Sequence, residues 1–270
     1  MADLERLVPL REEGTRPPLF CLHAVSGSAY SYTGLVQLLG DDQPVYAFEA
    51  PGFDNERAPA DSVPGLAAEY AAILREFRPE GGYDLLGWSF GGVLAVEIAQ
   101  QLAEAGVGVR RLIMVDSGVP WVAELPAEKE IIRRFMADLM GIAGTSAAEV
   151  EAVIARDGLS TADEVFAAIE EAEILPEELD AELLGERYTV FRAHLAALFG
   201  FEFTKEYSGP VTHIMAGDES LRQYMRWEKV TPELTERTVP GTDHHSIWSG
   251  GLTQLSEIVR ATLAEKGTTL

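Results

Sequence analysis

Ser89 stands in a pattern that can make its hydroxyl a nucleophile. Residues 87–91 read Gly-Trp-Ser-Phe-Gly, between an apolar run at 83–86 and a helical pattern at 93–102. In a Gly-x-Ser-x-Gly turn the serine lies on a strained corner between a strand and a helix, and the glycines leave room for neighbouring backbone. A plain glycine-rich turn is the alternative interpretation. The flanking strand and helix favour a nucleophile that is presented above a sheet.

A serine of this kind needs a base, and histidine is the side chain that most often acts as one. Two of the five histidines, His244 and His245, follow the last predicted strand, from which a side chain can reach Ser89. The other three fall in the loop before the serine, in a predicted helix and in a predicted strand: His23, His194 and His213. We expect structural roles for the last two. The candidate bases are therefore His244 and His245.

The base must be oriented by an acid, and two aspartates qualify. Asp116 ends the predicted strand that follows the helix after Ser89, and Asp218 ends the next strand along the chain. Both lie at carboxyl ends of strands, where the site of an open α/β sheet forms, so spacing alone does not choose between them. Whichever is not the acid is expected to form an Asx turn or a helix cap.

Backbone N–H groups near Ser89 are candidates for an oxyanion hole. The N–H of Phe90 opens the helix after the serine, where it has no partner within the helix. Residues 23–28 form a loop after a buried apolar strand at 19–22, and this loop is expected to lie beside Ser89. We predict Ala24 as the second donor, with Val25 as the alternative.

The elements that position these residues alternate regularly between strand and helix up to residue 115. Such alternation predicts an α/β fold with a mostly parallel sheet and helices on both faces. Between residues 121 and 203 only helical patterns occur, broken by glycine and proline. We interpret this segment as a helical lid inserted into one domain that spans residues 1–270.

Composition excludes several classes of protein. The net charge of −23 disfavours binding to nucleic acid or to an anionic membrane surface. The single cysteine, Cys21, lies in an apolar run and is expected in the core, without a disulfide. Residues 1–13 are mixed and charged rather than a signal peptide, and no apolar run is long enough to span a membrane. We therefore expect a cytoplasmic protein.

Four stretches together resemble the thioesterase domains of nonribosomal peptide and polyketide synthases, which belong to the α/β-hydrolase superfamily. The resemblance covers most of the chain outside the predicted lid. The stretches are Leu-Val-Pro-Leu-Arg at 7–11 with Pro-Pro-Leu-Phe-Cys-Leu-His at 17–23, Gly-Trp-Ser-Phe-Gly-Gly at 87–92, Leu-Ile-Met-Val-Asp-Ser at 112–117, and Gly-Thr-Asp-His-His-Ser-Ile at 241–247.

The resemblance indicates which of the candidate acids and bases belong to the site. Synthase-terminal members of the family place the acid after the strand that follows the serine helix, which corresponds to Asp116. Free-standing editing members place it after the later strand, which corresponds to Asp218. The tryptophan before Ser89 and the Val-Asp-Ser pattern are more similar to the synthase-terminal type, which implies Asp116. The family histidine corresponds better to His244 than to His245.

The resemblance also implies an activity. A serine thioesterase of this family releases an acyl, peptidyl or polyketide chain from the phosphopantetheine of a carrier protein or domain, by hydrolysis or macrocyclisation. It implies a carrier partner and an acyl thioester substrate carried on phosphopantetheine, with no other cofactor. No metal is expected, because the histidines and acids do not fall into ligand spacing and the single cysteine supplies no thiolate cluster. The alternatives are a small-molecule esterase or lipase, a type II editing thioesterase, and a non-catalytic binding module on the same fold.

Overall fold

A seven-stranded, mostly parallel sheet forms the centre of the protein. The computed structural model describes residues 2–53, 57–143, 147–176 and 178–265. The strand order is β1-β3-β2-β4-β5-β6-β7, and only β1 is antiparallel to its neighbour. The strands are β1 (Leu7–Arg11), β2 (Leu19–Leu22), β3 (Val45–Phe48), β4 (Tyr83–Trp88), β5 (Val109–Val115), β6 (Val211–Ala216) and β7 (Leu234–Val239).

Helices cover both faces of this sheet, which confirms the predicted fold class. Apolar residues of α2 and α3 pack on one face, and those of α1 and α8 pack on the other. The helices are α1 (Thr33–Leu38), α2 (Val63–Phe77), α3 (Phe90–Glu104), α4 (Glu128–Ala143), α5 (Ala147–Ile154), α6 (Ala162–Glu171), α7 (Ala181–Phe199) and α8 (Leu252–Ala264).

Alternation along each buried strand supplies the two layers of core. In β2, Phe20 and Leu22 join the cluster that includes α2 and α3, whereas Leu19 and Cys21 join the cluster on the opposite face. Successive side chains of a strand point to opposite faces, so a continuous apolar run is required where both faces are covered. All four side chains are fully buried, as expected for Cys21.

The register of the central strands brings their carboxyl ends level. Trp88 at the end of β4 pairs with Val115 at the end of β5, and Val115 pairs with Ile214 in β6. The residues that follow these strands therefore emerge at one edge of the sheet. Ser89 and Asp116 are two of them.

The last strand is longer than the sequence predicts. A strand is expected only at 237–239, but β7 begins at Leu234 and pairs with β6 along six residues. Residues 235–237 are polar and exposed because β7 is at the edge of the sheet. They carry no apolar run from which a buried strand is recognised.

Between β5 and β6 the chain forms the four helices α4 to α7. Their apolar faces pack together into a separate core that includes Phe135, Phe166 and Phe191. The sequence predicts helices in this segment, although α7 begins at Ala181 rather than near residue 176. Residues 144–146 and 177 of the predicted lid lie outside the described residues. The role of the segment as a lid stays a prediction.

The helices were compared with the length and apolarity of a membrane-spanning helix. Of those in the described ranges, none combines the length and the apolarity that a membrane span requires.

Candidate active site

Ser89 occupies a strained backbone corner between β4 and α3. Its φ is 54° and its ψ is −119°, a conformation that non-glycine residues adopt at a cost. A Cβ at Gly87 would overlap the backbone of Gly91, and a Cβ at Gly91 would overlap the carbonyl of Leu22. Both glycines are therefore needed for the close approach of strand and helix. The sequence pattern is thus a sharp turn that presents Ser89.

Two hydrogen bonds join the backbone of Ser89 to the end of β5 and to the residues that follow it. The backbone N–H of Ser89 donates to the carbonyl of Val115 (3.0 Å). The hydroxyl of Ser117 donates to the carbonyl of Ser89 (2.7 Å). These bonds fix the backbone of Ser89 at the edge where β5 ends.

Asp116 and His244 are joined by a short hydrogen bond. His244 Nδ1 lies 2.6 Å from Asp116 Oδ2, and the aspartate is 3% exposed. The second carboxylate oxygen, Oδ1, accepts from the backbone N–H of Ala216 at 2.8 Å. With Nδ1–H donated to the carboxylate, the neutral ring carries its lone pair on Nε2. Nε2 is then the atom that can accept a proton.

His244 lies beside the nucleophile corner. Its ring packs on Trp88, the residue before Ser89, with the ring centroids 5.3 Å apart. The ends of β4 and β5 and the loop after β7 thus bring Ser89, Asp116 and His244 to one edge of the sheet. Serine, acid and histidine occur in this order along the chain, as in α/β-hydrolases.

Asp218, the alternative acid, has other partners. Its side chain is exposed and accepts from the backbone N–H and the hydroxyl of Ser220, at 2.9 and 2.8 Å. These bonds cap the short 3₁₀ helix Glu219–Tyr224 and lower the pKa of the Asp218 carboxyl. His245, the alternative base, lies 3.5 Å from Asp138 instead.

The two predicted oxyanion donors lie at the start of α3 and in the loop after β2. Phe90 is the first residue of α3, and Ala24 is buried in the loop that follows β2. Within the described ranges, no backbone hydrogen bond is donated by the N–H of Phe90, Ala24 or Val25. The carbonyl of Val25 is engaged with His194, a contact that the sequence analysis did not predict.

A cavity of about 460 Å³ opens next to this edge. It lies between the loop after β2, helices α4 and α7, and the loop after β7. Its wall combines aromatic rings, hydroxyls and two charged groups of opposite sign, including Phe53, Trp88, Trp248, Ser26, Asp138 and Arg187. In the part of the chain that the structure describes, no group of His, Cys, Asp and Glu is arranged to hold a metal ion.

Comparison with known proteins identifies the family. The model of the Thioesterase domain family matches residues 17–265. The chain belongs to the thioesterase domain family. This thioesterase domain is 38% identical over 144 residues to malpibaldin synthetase of Mortierella alpina, covering 50% of the chain and 3% of that protein. It is 30% identical over 174 residues to the polyketide synthase PksR of Bacillus subtilis (strain 168), covering 64% of the chain and 7% of that protein.

The solved structures show the same architecture. The thioesterase domain of NocB, in covalent complex with a fluorophosphonate nocardicin G analogue, is similar with a TM-score of 0.70 and 24% identity. The match covers 96% of this chain and all of that one. The predicted α/β-hydrolase fold and the resemblance to synthase thioesterase domains are therefore confirmed. The thioesterase domain spans only a small part of the length of the curated synthases that it matches.

Proposed function

We propose that this thioesterase domain releases an acyl, peptidyl or polyketide chain from a phosphopantetheinyl carrier through an acyl-enzyme on Ser89. The observation that carries the proposal is the bond between His244 Nδ1 and Asp116 Oδ2 next to the strained Ser89 corner. The similarity to nonribosomal peptide and polyketide synthases supports the carrier-bound substrate.

The first step is acylation of the serine. His244 Nε2 accepts the hydroxyl proton of Ser89 as the oxygen attacks the thioester carbonyl carbon. Asp116 stabilises the imidazolium that forms and holds the ring in its tautomer. The N–H groups of Phe90 and Ala24 donate to the oxyanion. The carbon–sulfur bond then breaks, the carrier thiol leaves with the proton from His244, and an ester on Ser89 remains.

The second step transfers the chain to an acceptor. Water, or an amine or hydroxyl of the chain itself, loses its proton to His244 Nε2 and attacks the ester carbonyl. His244 returns the proton to the oxygen of Ser89 as the ester breaks. Water gives a free acid and an internal nucleophile gives a macrocycle. The cavity beside the site is where the chain is expected to lie.

Intact mass spectrometry after brief exposure to a panel of acyl-pantetheine thioesters tests this function. Wild type is expected to gain one acyl group, and Ser89→Ala is expected to gain none. Ser62→Ala is the matched control, because Ser62 precedes α2, makes no side-chain capping hydrogen bond and does not line the cavity; it should still be acylated.

Product analysis in the same experiment separates the possible activities. A linear acid indicates hydrolysis and a cyclic product indicates macrocyclisation. Absence of an adduct and of product with every thioester, together with fast cleavage of simple esters, would instead identify an esterase. Undiminished turnover by Ser89→Ala would remove the proposed mechanism.

A further inference from the structure

A histidine outside the proposed triad contacts the loop after β2. His194 lies on α7 and is fully buried. Its Nδ1 is 2.9 Å from the carbonyl oxygen of Val25. A carbonyl only accepts hydrogen bonds, so Nδ1 carries the proton in this contact. Within the described residues, Nε2 of His194 has no hydrogen-bond partner. The bond from Nδ1 to the Val25 carbonyl is therefore the hydrogen bond that orients the ring.

The His194 ring also stacks on both segments that contain the proposed oxyanion donors. It lies 5.1 Å from the ring of Phe90, at an angle of 22° between the planes. On His23, which precedes Ala24, it stacks at 4.9 Å and 16°. One side chain from the helical segment therefore contacts the start of α3 and the loop after β2.

The ring of His194 is neutral over the physiological pH range. Burial lowers its pKa to about 4, and burial together with the nearby His194 lowers the pKa of His23 to about 3. Phe90, which stacks on His194, and Tyr70, which packs on His23, are uncharged at neutral pH. Nε2 of His23 is hydrogen-bonded to the Tyr70 hydroxyl. His194 therefore donates from Nδ1 as a neutral ring, and it does not gain a charge over this pH range.

We propose that His194 is a positioning residue: its bond to the Val25 carbonyl orients the backbone of the loop so that the Ala24 N–H faces the oxyanion. The proposal rests on the proposed function. The Ala24 N–H lies two peptide planes before the Val25 carbonyl, and the carbonyl of Ala24, in the plane between them, contacts His23 Nδ1 at 2.8 Å. With the Val25 and Ala24 carbonyls both held, the rigid peptide planes leave the Ala24 N–H little freedom to turn. Because α7 belongs to the helical segment, the oxyanion site is complete only when that segment is docked on the sheet.

Two substitutions separate the donor from the ring that carries it. In His194→Asn the amide nitrogen can occupy the position of Nδ1 and donate to Val25. In His194→Gln the amide nitrogen falls near the position of Nε2, away from the Val25 carbonyl. Both replacements remove the ring and keep a primary amide, and they differ by one methylene. A difference between them therefore reports the hydrogen bond rather than the loss of a buried ring.

Steady-state kinetics with an acyl-pantetheine thioester and inactivation by a fluorophosphonate provide the readouts. The tetrahedral phosphonyl group places an oxygen where the oxyanion forms, so its rate of attachment also depends on the donors. We expect His194→Gln to lower kcat and the inactivation rate by about 10- to 100-fold with KM within about 3-fold of wild type. His194→Asn should stay within about 5-fold of wild type in both rates.

Leu184→Ala is the matched control. Leu184 is buried in the core of the helical segment at the start of α7, about 15 Å along the helix from His194. It should lower the free energy of unfolding without a selective loss of kcat. Equal kcat for the Asn and Gln variants, or a loss in His194→Gln that Leu184→Ala reproduces at equal stability, would overturn the proposal.

Ser89→Ala distinguishes failure of this inference from failure of the proposed function. If Ser89→Ala is inactive and the Asn and Gln variants are equally active, only the role of His194 is wrong. If Ser89→Ala keeps full turnover, the acyl-enzyme mechanism and the positioning role both fail.

Discussion

His245 Nε2 lies 3.5 Å from the carboxylate of Asp138, and this pair joins the loop after β7 to helix α4. His245 is the immediate neighbour of His244, and both Asp138 and His245 line the cavity. The carboxylate of Asp138 raises the pKa of His245, and the charges of Asp243 and Asp116 raise it further, while burial opposes the shift. The ion pair of His245 and Asp138, whose strength depends on pH, thus connects the helical segment to the loop that contains His244.

Asp138→Asn is expected to destabilise the protein in a pH-dependent way. The pKa of His245 is raised in the folded state, so its ion pair contributes fully below the ordinary value of 6.5 and is lost as the pH rises through the folded pKa. Because the side chain of His245 is 34% exposed, we expect a loss of only about 0.5–1 kcal/mol at pH 6 and less at pH 9. Urea unfolding at both pH values measures the difference.

Glu130→Gln serves as the control for that comparison. Glu130 pairs with Arg134 one turn away on the exposed face of α4, and this pair contains no histidine. Its effect should be small and the same at pH 6 and pH 9. An equal loss for Asp138→Asn at both pH values would show that the histidine pair does not contribute as described.

Asp116→Asn is expected to reduce kcat by about 10³- to 10⁴-fold with little change in KM. An amide cannot stabilise the imidazolium of His244, and it can donate to Nδ1 and so favour the wrong tautomer. Steady-state turnover of an acyl-pantetheine thioester measures the effect, and the circular dichroism spectrum checks that the fold is retained.

Asp218→Asn is the matched comparison, because Asp218 also follows a strand of the sheet. It should keep activity within about 3-fold and change stability little, because the side-chain oxygen of asparagine can still accept from the Ser220 N–H that caps the 3₁₀ helix. A large rate loss in Asp218→Asn alone would mean that the proposed acid is the wrong one.

The central strands could be predicted from the sequence because burial on both faces requires continuous apolar runs. β2 is such a run over its whole length, and its predicted bounds, 19–22, match the structure; in β5 the apolar run covers residues 112–115. Residues 235–237 of β7 are exposed, and pairing with β6 rather than burial defines this part of the strand. That pairing is a tertiary property, so the beginning of the strand could not be predicted from local pattern.

The site shows the same division between local and tertiary information. The strained turn at Ser89 is local, and its glycines indicate it directly. Spacing could not choose between Asp116 and Asp218, because both follow strands that end at one edge; the direction of each side chain decides which one contacts His244. The contact of His194 with Val25 joins residues 169 positions apart, for which the sequence carries no local signal.

Gly91→Ala tests the close approach that shapes the nucleophile corner. A Cβ at Gly91 would overlap the backbone carbonyl of Leu22, which cannot move without distorting β2, so we expect a loss of at least ~2 kcal/mol in the free energy of unfolding. Gly185→Ala on α7 is the matched control, because its Cβ would meet open space. It should raise stability by about 0.5–1 kcal/mol, since alanine favours a helix over glycine. Urea unfolding of both variants measures the contrast. A Gly91→Ala protein as stable as Gly185→Ala would show that strand and helix are not packed at this distance and that the glycine is not required by the corner.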